Sequence, residues 1–593
     1  MILSDFVKLL ESKNELIRIK EFVDPVLEIA EITDRFSKSE NGGKALLFEN
    51  TGTDFPVLIN AFGSDARMCA ALGVNHLDDI AEEINKLFVS FSSPKMNIWE
   101  KLSLLPKLKQ VAGWLPKHKS GKGKCQDVII KNPDLNKLPI LKCYPFDGGR
   151  FITLPMVHTV NPDTNIRNVG MYRMQIFDEK TTGMHWHKHK TGAQHFEIYK
   201  QQKQKMPVVV TLGGDTIYTY AATAPLPDGI DEYILAGFLR KKSVELVKCI
   251  TQPMHIPSDV DFVIEGYVDT QEPLCIEGAF GDHTGFYSLQ DLFPKFHVTC
   301  ITHKKNAIYP ATLVGIPPQE DAYLAKATER IFLEPIRLVL SPEIEDLNMP
   351  TEGVSHNIVI VKIKKTYAGQ AIKIANALWG AGQMMFNKFM IVVNGDVDIH
   401  NYVDLIEKVN ENIDINNDIY FTKGPLDILD HAAQSSGFGG KICIDATEKF
   451  DEEKSDKIKL ENRKLYEFIN RNKFDKNNIG AKITVIFDDF VDVENISQAV
   501  WLLGNNIDAV RDCAIDGENL IIDACVKSKN YKPLLNEKEF CFSRRWPNIA
   551  CSSLETIKII DEKWENLGLG KFISSPSQNV VNLIVSEGAE IID

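Results

Sequence analysis

The segment "VGMYRMQIF" places an arginine where it could bind an anion. On a strand, Met171 and Arg173 would lie on one face and Tyr172 on the other. A planar guanidinium can grip a carboxylate or a phosphate with two hydrogen bonds. The alternative is an arginine in an exposed surface ion pair, which would have no catalytic meaning.

A glycine-rich segment further along, "CIEGAFGDHTGFY", carries two carboxylates, Glu277 and Asp282. Carboxyl groups held close together in a sheltered loop shift each other's pKa, so one can act as an acid and the other as a base. Three glycines in this segment, Gly278, Gly281 and Gly285, are expected to supply tight turns. The alternative is a simple turn or a calcium-loop-like segment without catalysis.

Histidines alternate with other side chains in "MHWHKHKTG", at positions 185, 187 and 189. If this stretch is a strand, all three imidazoles lie on one face, a spacing that could serve a metal or a phosphate. Solvated histidines at a strand edge are the alternative, and the spacing leaves both open.

These groups fall within a β-rich part of the chain. Short apolar runs such as "ITLPMVHTV", "MPVVVTLGG" and "FVIEGYVD", separated by turn residues, favour a β-barrel or sandwich core. The basic stretch "LPKHKSGKGKCQ" before them is expected to be a linker. After them, "EDAYLAKATERIFLEPIRLVL" predicts a long helix with a kink or break at Pro335.

The C-terminal part of the sequence predicts a parallel sheet. The strand-like "NIVIVKIKK", the helical "YAGQAIKIANALWGAG" and the strand-like "KFMIVVNGDVD" form a βαβ pattern. We therefore expect a multidomain α/β protein with an N-terminal α/β domain over 1–115, a central β domain over 116–318, a linker helix over 319–345 and a C-terminal α/β domain over 346–593.

An internal similarity lies within that last domain. "VDIHNYVDLIEKVNENIDINND" (397–418) aligns without gaps against "VDVENISQAVWLLGNNIDAVRD" (491–512). Each aligned pair, such as Asp398 and Asp492, is 94 positions apart. A duplicated αβ unit explains the match, and chance similarity of two amphipathic segments is the alternative. The charged segment between them, "DEEKSDKIKLENRKLYEFINRNKFDKNN", is expected to be a solvated helix and loop.

Composition narrows the class of protein. A chain of 593 residues with 44% hydrophobic and 25% charged residues is too long for one core. Its net charge of −14 argues against a nucleic-acid or anionic-membrane partner. The 11 cysteines are scattered without a CxxC pair, which indicates reduced thiols and a cytoplasmic location. We expect neither a signal peptide at the start nor a membrane span.

Four motifs in order, "NVGMYR", "PLPDGIDEYILAGFLRKKSVELVKC", "EGAFGDHTGFY" and "SSGFGGKICIDAT", closely resemble the UbiD family of reversible non-oxidative decarboxylases. That family includes the 3-polyprenyl-4-hydroxybenzoate decarboxylases of quinone biosynthesis. The likeness runs to about residue 450 and resumes at "RRWPNIACSSLETIKIIDEKWENLGL", which is similar to the family's C-terminal helix. Residues of about 455–540, which include the second copy of the repeat, have no counterpart in polyprenyl-type members.

The resemblance implies a central flavin-reductase-like split β-barrel that binds prenylated FMN. It also implies a divalent cation on the phosphate, manganese or magnesium, often with a potassium ion. Asn168 and Glu232 match the metal ligands, and oxygen donors suit such hard cations. Metal ligation by His187 or His189 is left open. The residues that match the cofactor site are Met171, Tyr172, Arg173, His185, Trp186, His187, Lys190, Thr191 and Lys441.

The resemblance also implies how such a site would work. The modified flavin would act as an electron sink for loss of carbon dioxide. Arg173 would orient the substrate carboxylate and hold Glu277 in place, and Asp282 would deliver the proton as general acid. We expect a decarboxylase of an aromatic or α,β-unsaturated acid, with a quinone precursor such as 3-polyprenyl-4-hydroxybenzoate favoured. The alternatives are an FMN oxidoreductase and a non-catalytic assembly subunit.

The partners implied are a small carboxylic acid, a flavin prenyltransferase that supplies the cofactor, and further copies of the chain in a dimer or hexamer. Nucleic acid is not among them. A polyprenylated substrate would bring the protein into peripheral contact with a membrane.

Overall fold

The computed structural model describes residues 1–92, 105–188, 190–454, 463–527, 531, 533–535 and 544–592. The chain forms two compact units. The first unit contains Met1–Asp282, Tyr287–Ala327 and Ala550–Asn579, and the second contains His283–Phe286, Thr328–Ile549 and Val580–Asp593. The protein is multidomain and α/β, as predicted, while the domain limits drawn from the sequence stay a prediction.

The first unit begins with a small four-stranded sheet and its helices. The elements are α1 (Leu3–Ser12), β1 (Leu16–Phe22), α2 (Glu28–Ser37), β2 (Ala45–Asn50), β3 (Val57–Ile59), α3 (Asp65–Leu72), α4 (Asp78–Ser92) and α5 (Leu105–Ala112). The sheet has the order β1, β2, β3, with Tyr309–Pro310 as the fourth strand. Leu46 and Phe48 on β2 are fully buried, which is why this apolar run forms a central strand.

The rest of the first unit is β-rich, as the sequence predicts. Its elements are β4 (Lys117–His118), β5 (Val128–Ile130), β6 (Phe151–Ile152), β7 (Met156–Val160), β8 (Arg167–Met171), β9 (Met174–Gln175), β10 (Thr181–Gly183), α6 (Thr191–Gln201), β11 (Met206–Leu212), α7 (Thr216–Ala221), α8 (Glu232–Arg240), β12 (Glu245–Lys248), β13 (His255–Pro257), β14 (Phe262–Val268), β15 (Cys275–Glu277), β16 (Phe280–Gly281), β17 (Tyr287–Ser288), β18 (Asp291–Phe293), β19 (Lys295–His303) and β20 (Tyr309–Pro310).

Seven of these strands form one sheet. Its path is β10, β19, β14, β11, β7, β8, with β5 also paired to β19. Over the part of the chain that the structure describes, β10 and β8 are the unpaired ends of this path, so the sheet is open. The basic stretch expected to be a linker is instead structured, because β4 pairs in parallel with β12.

A C-terminal helix returns to the first unit. Helix Leu554–Lys563 packs against α2, and the contact centres on a buried arginine. Arg35 donates from Nε to Oε1 of Glu31 at 2.7 Å and from Nη1 to the carbonyl oxygen of Ile573 at 2.9 Å. Its guanidinium also lies 5.2 Å from the ring centroid of Trp564, a cation–π contact.

The second unit is built on two sheets. Its elements follow α9 (Glu320–Val339) and are β21 (Ile344–Asn348), β22 (Ile358–Ile363), α10 (Gln370–Trp379), β23 (Phe389–Asn394), α11 (Tyr402–Asn412), β24 (Ile419–Pro425), β25 (Phe438–Asp445), β26 (Lys464–Asn470), β27 (Ala481–Phe487), α12 (Ile496–Asn506), β28 (Cys513–Asp516) and β29 (Asn519–Asp523). The C-terminal helix of the first unit, Leu554–Lys563, is α13. Helix α9 runs through Pro335 without ending there, contrary to the predicted break.

The larger of these sheets has the order β21, β22, β23, β25, β24. Strands β22 and β23 pair in parallel on either side of α10, which confirms the predicted βαβ unit. Val359, Val361, Ile374 and Leu378 are fully buried between the sheet and this helix. The smaller sheet has the order β26, β27, β29, β28.

The charged segment predicted as a helix and loop is different in the structure. Residues 455–462 lie outside the described residues, and the part from Lys464 to Asn470 is strand β26. The reason is that Leu465 and Asn470 are buried at the edge of the smaller sheet, where pairing with β27 outweighs the local charge pattern. The cysteines that the structure describes are all free thiols. Of the helices it describes, none has the length and apolarity needed to cross a bilayer.

Candidate active site

Arg173 stands between β8 and β9, and its guanidinium gathers three side chains from distant parts of the first unit. Its Nε donates to Oε1 of Glu277 at 3.0 Å, and its Nη1 donates to Oδ2 of Asp282. Its Nη2 donates to Oγ of Ser288 at 2.9 Å. The guanidinium carbon also lies 4.7 Å from the ring centroid of Phe280. The arginine is therefore a buried connector and not the surface ion pair that its sequence left open.

Glu277 and His185 form the buried side of this cluster. Nδ1 of His185 lies 2.7 Å from Oε1 of Glu277, and the two Nε2 atoms of His185 and His187 lie 2.6 Å apart. Burial opposes ionisation of Glu277, but the positive charge of Arg173 and the bonds from His185 outweigh it and lower the pKa of this carboxyl. Burial, with the nearby charge of Arg173, also lowers the pKa of His185.

These pKa directions fix the hydrogen-bond polarity. A neutral His185 donates from Nδ1 to the Glu277 carboxylate and accepts at Nε2, so His187 must donate from its own Nε2. Glu277 thus receives two donors on Oε1, whereas its Oε2 is buried without a hydrogen-bond partner in the structure. An acceptor in that state is ready for a ligand, because leaving it unpaired costs free energy.

Asp282 differs from Glu277 in its exposure. The Glu277 side chain is 1% exposed and that of Asp282 is 11% exposed, although both contact the same guanidinium. Asp282 is therefore the carboxylate of the pair that a ligand or water can reach more easily.

The three glycines of this segment have different roles from the turns that we expected. A Cβ on Gly278 would lie 2.6 Å from the Cα of Gly148, and one on Gly281 would lie 2.3 Å from the ring of Tyr144. These two positions require glycine because backbone and ring pack directly against them. Gly285 alone has the left-handed backbone expected of a turn, with φ of +83°.

A second group of predicted residues gathers at the other end of β8. The backbone N–H of Val169 donates to Oε2 of Glu232 at 2.7 Å, so this carboxylate lies beside the residue that follows Asn168 in the chain. The pKa of Tyr172 responds to the neighbouring Asn168 side chain and to the charge of Glu232. Burial raises the pKa of Glu232 to about 8 and that of Tyr172 to about 12.

The segment after β10 leads into a helix N-terminus. Lys190 is the N-cap of α6, and Thr191 is its first residue. A Cβ on Gly192 would lie 2.7 Å from Nε1 of Trp186, so the indole packs against this first turn. The Nε1 of Trp186 and the Nδ2 of Asn168 are both buried without a hydrogen-bond partner. Buried donors of this kind call for an acceptor.

The histidine pattern is not a strand. Strand β10 ends at Gly183, so the predicted alternation of imidazoles on one strand face is wrong for residues 184–188. His185 and His187 still meet, with ring centroids 4.5 Å apart, because the extended loop folds back on itself. His189 lies outside the described residues.

Two predicted positions, Met171 and Lys441, stand apart from these contacts. Met171 ends β8, and its backbone N–H donates to the carbonyl oxygen of Ala222 at 3.1 Å. Lys441 belongs to the second unit, where its Nζ donates to the carbonyl oxygens of Met385 and Asn387 at 2.7 and 2.5 Å. Burial lowers the pKa of this ammonium to about 7.

Sequence reasoning missed the residues that hold the glycine-rich segment. The buried carboxylate of Asp147 accepts from the backbone N–H of Gly281 at 2.8 Å and from those of Cys143 and Tyr144. The side-chain oxygen of Gln175 accepts from the N–H of Gly278 at 2.6 Å. The turn motif "FDGG" around Asp147 was the available signal.

Among the described residues, no group of three or more His, Cys, Asp or Glu side chains is arranged so that it could hold a metal ion. A metal ion near Glu232 would therefore also need oxygen ligands from an amide side chain and from a bound small molecule.

Three family models match the chain in order. They describe the N-terminal domain of 3-octaprenyl-4-hydroxybenzoate carboxy-lyase (residues 7–85), its Rift-related domain (117–317) and its C-terminal domain (322–446). An uncharacterized protein of Archaeoglobus fulgidus is 46% identical over 454 residues, which cover 76% of this chain and 92% of that protein. One of Helicobacter pylori J99 is 37% identical over 606 residues, covering 94% of this chain and 96% of that protein.

Solved structures share the fold. The vanillic acid decarboxylase of Sedimentibacter hydroxybenzoicus in its closed form matches with a TM-score of 0.66 and 24% identity, over 77% of this chain and 94% of that one. The UbiD-class enzyme HmfF of Pelotomaculum thermopropionicum, in complex with FMN, matches with a TM-score of 0.64 and 24% identity, over 78% of this chain and 98% of that one.

Proposed function

This chain belongs to the UbiD family of carboxy-lyases, and on that premise we propose that it is a prenylated-FMN-dependent decarboxylase of an aromatic or α,β-unsaturated carboxylic acid. The observation that carries the proposal is Arg173 joined to Glu277 and to Asp282 within one buried cluster. A hydride-transferring flavoprotein has no need of that set, so the cluster favours decarboxylation over the FMN oxidoreductase alternative.

Arg173 has donors left for a substrate carboxylate. A guanidinium carries five N–H groups, and the bonds to Glu277, Asp282 and Ser288 use one each from Nε, Nη1 and Nη2. One N–H on each Nη nitrogen is left, which suits a bidentate carboxylate. Glu277 fixes the orientation of the guanidinium from its buried side.

Asp282 exchanges the proton. Its carboxylate is paired with the guanidinium of Arg173 before substrate binds. A substrate carboxylate that competes for Nη1 weakens this contact, so Asp282 can take up a proton and deliver it to the carbon that has lost carbon dioxide. In the reverse direction the same carboxylate removes that proton.

The residues around α6 fit a flavin phosphate and ring. The N-terminus of an 11-residue helix attracts a phosphate, with Lys190 and Thr191 at its first turn. The buried Nε1 of Trp186 and Nδ2 of Asn168 are donors without a partner, as expected of residues that wait for an acceptor group. When bound, prenylated FMN supplies the electron sink that carbon dioxide loss requires.

Asn168 and Glu232 would hold a divalent cation there. Glu232 is 8% exposed, and burial, with the nearby negative charge of Asp231, raises its pKa to about 8. A bound cation would favour the ionised form of this carboxyl. Manganese or magnesium suits their oxygen donors, and a potassium ion beside it would share the same phosphate.

The proposal also covers the type of barrel, the residues that line the flavin, the substrate and the assembly of the enzyme. The open sheet from β10 to β8 is the core of a split barrel, and Met171, Tyr172, His185 and His187 line the flavin. Lys441 is assigned to the cofactor by the family resemblance alone. The substrate is a quinone precursor such as a 3-polyprenyl-4-hydroxybenzoate, which the name of the matching family models supports. The enzyme works in the cytoplasm as a homo-oligomer, and a flavin prenyltransferase supplies its cofactor.

One experiment tests the central claim. The full chain is expressed with and without a flavin prenyltransferase, and the bound cofactor is identified by absorbance and mass. Exchange of labelled carbon dioxide is then measured on a panel that includes vanillic acid, 3,4-dihydroxybenzoic acid and 4-hydroxybenzoic acid. We expect prenylated FMN and exchange only after co-expression.

Two outcomes would contradict the proposal. Unmodified FMN with reductase activity would establish the oxidoreductase alternative. Absence of any flavin under both conditions, in a folded protein, would establish an assembly subunit.

A further inference from the structure

The smaller sheet of the second unit shares several local contacts with the larger one. Asn401 caps α11 by accepting from the N–H of Val403, and Asn495 caps α12 by accepting from the N–H of Gln498. After each helix an aspartate closes the same turn: the N–H of Asp414 donates to Asp418 at 2.7 Å, and that of Asp508 donates to Asp512 at 2.8 Å. The two cap asparagines and the two pairs of turn aspartates are separated by the 94 positions of the sequence alignment. The capped N–H differs, since it lies two residues after Asn401 and three residues after Asn495.

The match continues beyond the segments that align in sequence. Strands β25 and β29 each end in an aspartate followed four residues later by a lysine, which is half-buried at Lys449 and fully buried at Lys527. Lys449 donates from Nζ to the carbonyl oxygen of Asp445 at 2.7 Å, and Lys527 donates to that of Asp523 at 2.5 Å. Each lysine is also paired with the turn aspartate of its own sheet. These shared contacts favour a duplicated αβ unit over chance similarity of two amphipathic helices.

The two helices differ on the side that faces away from their own sheets. Glu407 and Lys408 of α11 give a polar outer face, as on a solvated helix. The same positions of α12 are Trp501 and Leu502, and both are buried. The face that is polar on α11 is therefore apolar and buried on α12. This implies that α12 packs against a second part of the protein in addition to its sheet.

That second contact is the segment 283–286, which follows Asp282 in the chain. Nε1 of Trp501 donates to the carbonyl oxygen of Thr284 at 2.8 Å. The indole stacks on Phe286, with ring centroids 5.2 Å apart and planes inclined by 29°. A Cβ on Gly285 would lie 2.6 Å from the indole, so only glycine lets Trp501 approach this closely.

We propose that the second copy of the αβ unit serves as a brace for the loop that carries the acid, with Trp501 as a positioning residue for Asp282. Thr284, Gly285 and Phe286 all contact the indole of Trp501. The backbone of these three residues therefore cannot move without breaking a buried hydrogen bond and a stacked aromatic pair. Asp282 directly precedes this segment in the chain, so its own backbone is expected to lose freedom as well. This inference rests on the proposed function for its consequence, though not for its contacts.

The test is Trp501→Phe in the full chain loaded with cofactor. Phenylalanine keeps an aromatic face for Phe286 and removes the donor to Thr284. We expect kcat to fall on the order of tenfold while KM and cofactor content stay within twofold, because the acid is displaced and not the binding groups. Hydrogen exchange of peptides that span 280–288 should rise in the same variant, and Phe286→Leu should raise it as well.

Trp564→Phe is the matched control. Its Nε1 donates to the carbonyl oxygen of Gly570 at 3.2 Å, so this variant loses a buried bond of the same kind on α13. We expect it to lower stability without a change in kcat or in exchange over 280–288. An equal loss of kcat in both variants would overturn the proposal, because the effect would then be general destabilisation.

The exchange measurement separates this inference from the proposed function. If the wild-type protein has no decarboxylase activity but Trp501→Phe raises exchange over 280–288, the brace exists and the function is wrong. Unchanged exchange over 280–288 in both Trp501→Phe and Phe286→Leu would overturn the brace whatever the activity.

Discussion

Arg173 donates from Nε to Oε1 of Glu277 across 3.0 Å, and the two residues are 104 positions apart in the chain. This bond joins the end of β8 to the end of β15. It also keeps Glu277 ionised despite its burial, since the positive charge of Arg173 lowers the pKa that burial alone would raise. The acidic pair is thus organised by the arginine and not by proximity of the two carboxylates alone.

Arg173→Lys should abolish most of the activity. Lysine keeps the charge but cannot bridge Glu277, Asp282 and Ser288 while leaving two donors for a substrate. We expect kcat/KM for carbon dioxide release to fall by at least about 100-fold. Ser288→Ala removes only the third bond and should cost no more than about tenfold; equal losses would contradict the special role of the guanidinium fork.

Asp282→Asn should keep the cofactor and lose turnover. The amide is nearly isosteric and still accepts from Arg173, but it cannot carry the proton, so we expect kcat to fall by about 10²- to 10⁴-fold. The flavin spectrum is the measure of retained cofactor. Asp291→Asn, on the exposed strand β18, is the control and should behave like the wild type. Full activity in Asp282→Asn would remove this residue from the acid role.

His185→Gln should shift the pH dependence of activity. Burial raises the pKa of Glu277, and Arg173 and His185 lower it, so loss of the His185 donor lets that pKa rise. The acidic limb of kcat/KM should therefore move to higher pH, by on the order of one unit. His297→Gln breaks a similar pair, in which Nε2 lies 2.6 Å from Glu272 outside the site, and should leave the profile unchanged.

Buried histidines predict a loss of stability in mild acid. Burial lowers the pKa of His431 to about 3, from 6.5 in the unfolded chain. The unfolded state therefore binds more protons below pH 6.5, so the stabilisation is complete above that pH and is lost as the pH falls through it. We expect His431 alone to contribute about 1 kcal/mol of the loss between pH 6.5 and 5.5.

Urea unfolding at the two pH values measures this contribution. In His431→Gln the difference in unfolding free energy between them should shrink by that amount. His76→Gln, at an exposed position, should leave the difference unchanged. A wild-type protein equally stable at both pH values would contradict the prediction.

Much of the local structure was predictable because it follows from periodicity. The continuous apolar run around Val359 and the amphipathic pattern of α10 predicted a parallel βαβ unit, and the structure confirms it. The histidine stretch and the charged segment before β26 were predicted wrongly. In both, tertiary pairing decided the local structure: Gly183 is the last residue of β10 that pairs with β19, and Lys464–Asn470 pairs with β27.

The sequence by itself determined which side chains are present for chemistry and, through four ordered motifs, the family to which the chain is similar. Only the tertiary structure decided how they are used. It made Arg173 the link between two carboxylates, reserved Gly278 for close backbone packing, and turned one face of α12 toward the loop after Asp282. The physical reason is that motifs and periodicity are local, whereas these contacts join residues about 100 to 220 positions apart, whose meeting depends on the order of strands in the sheets.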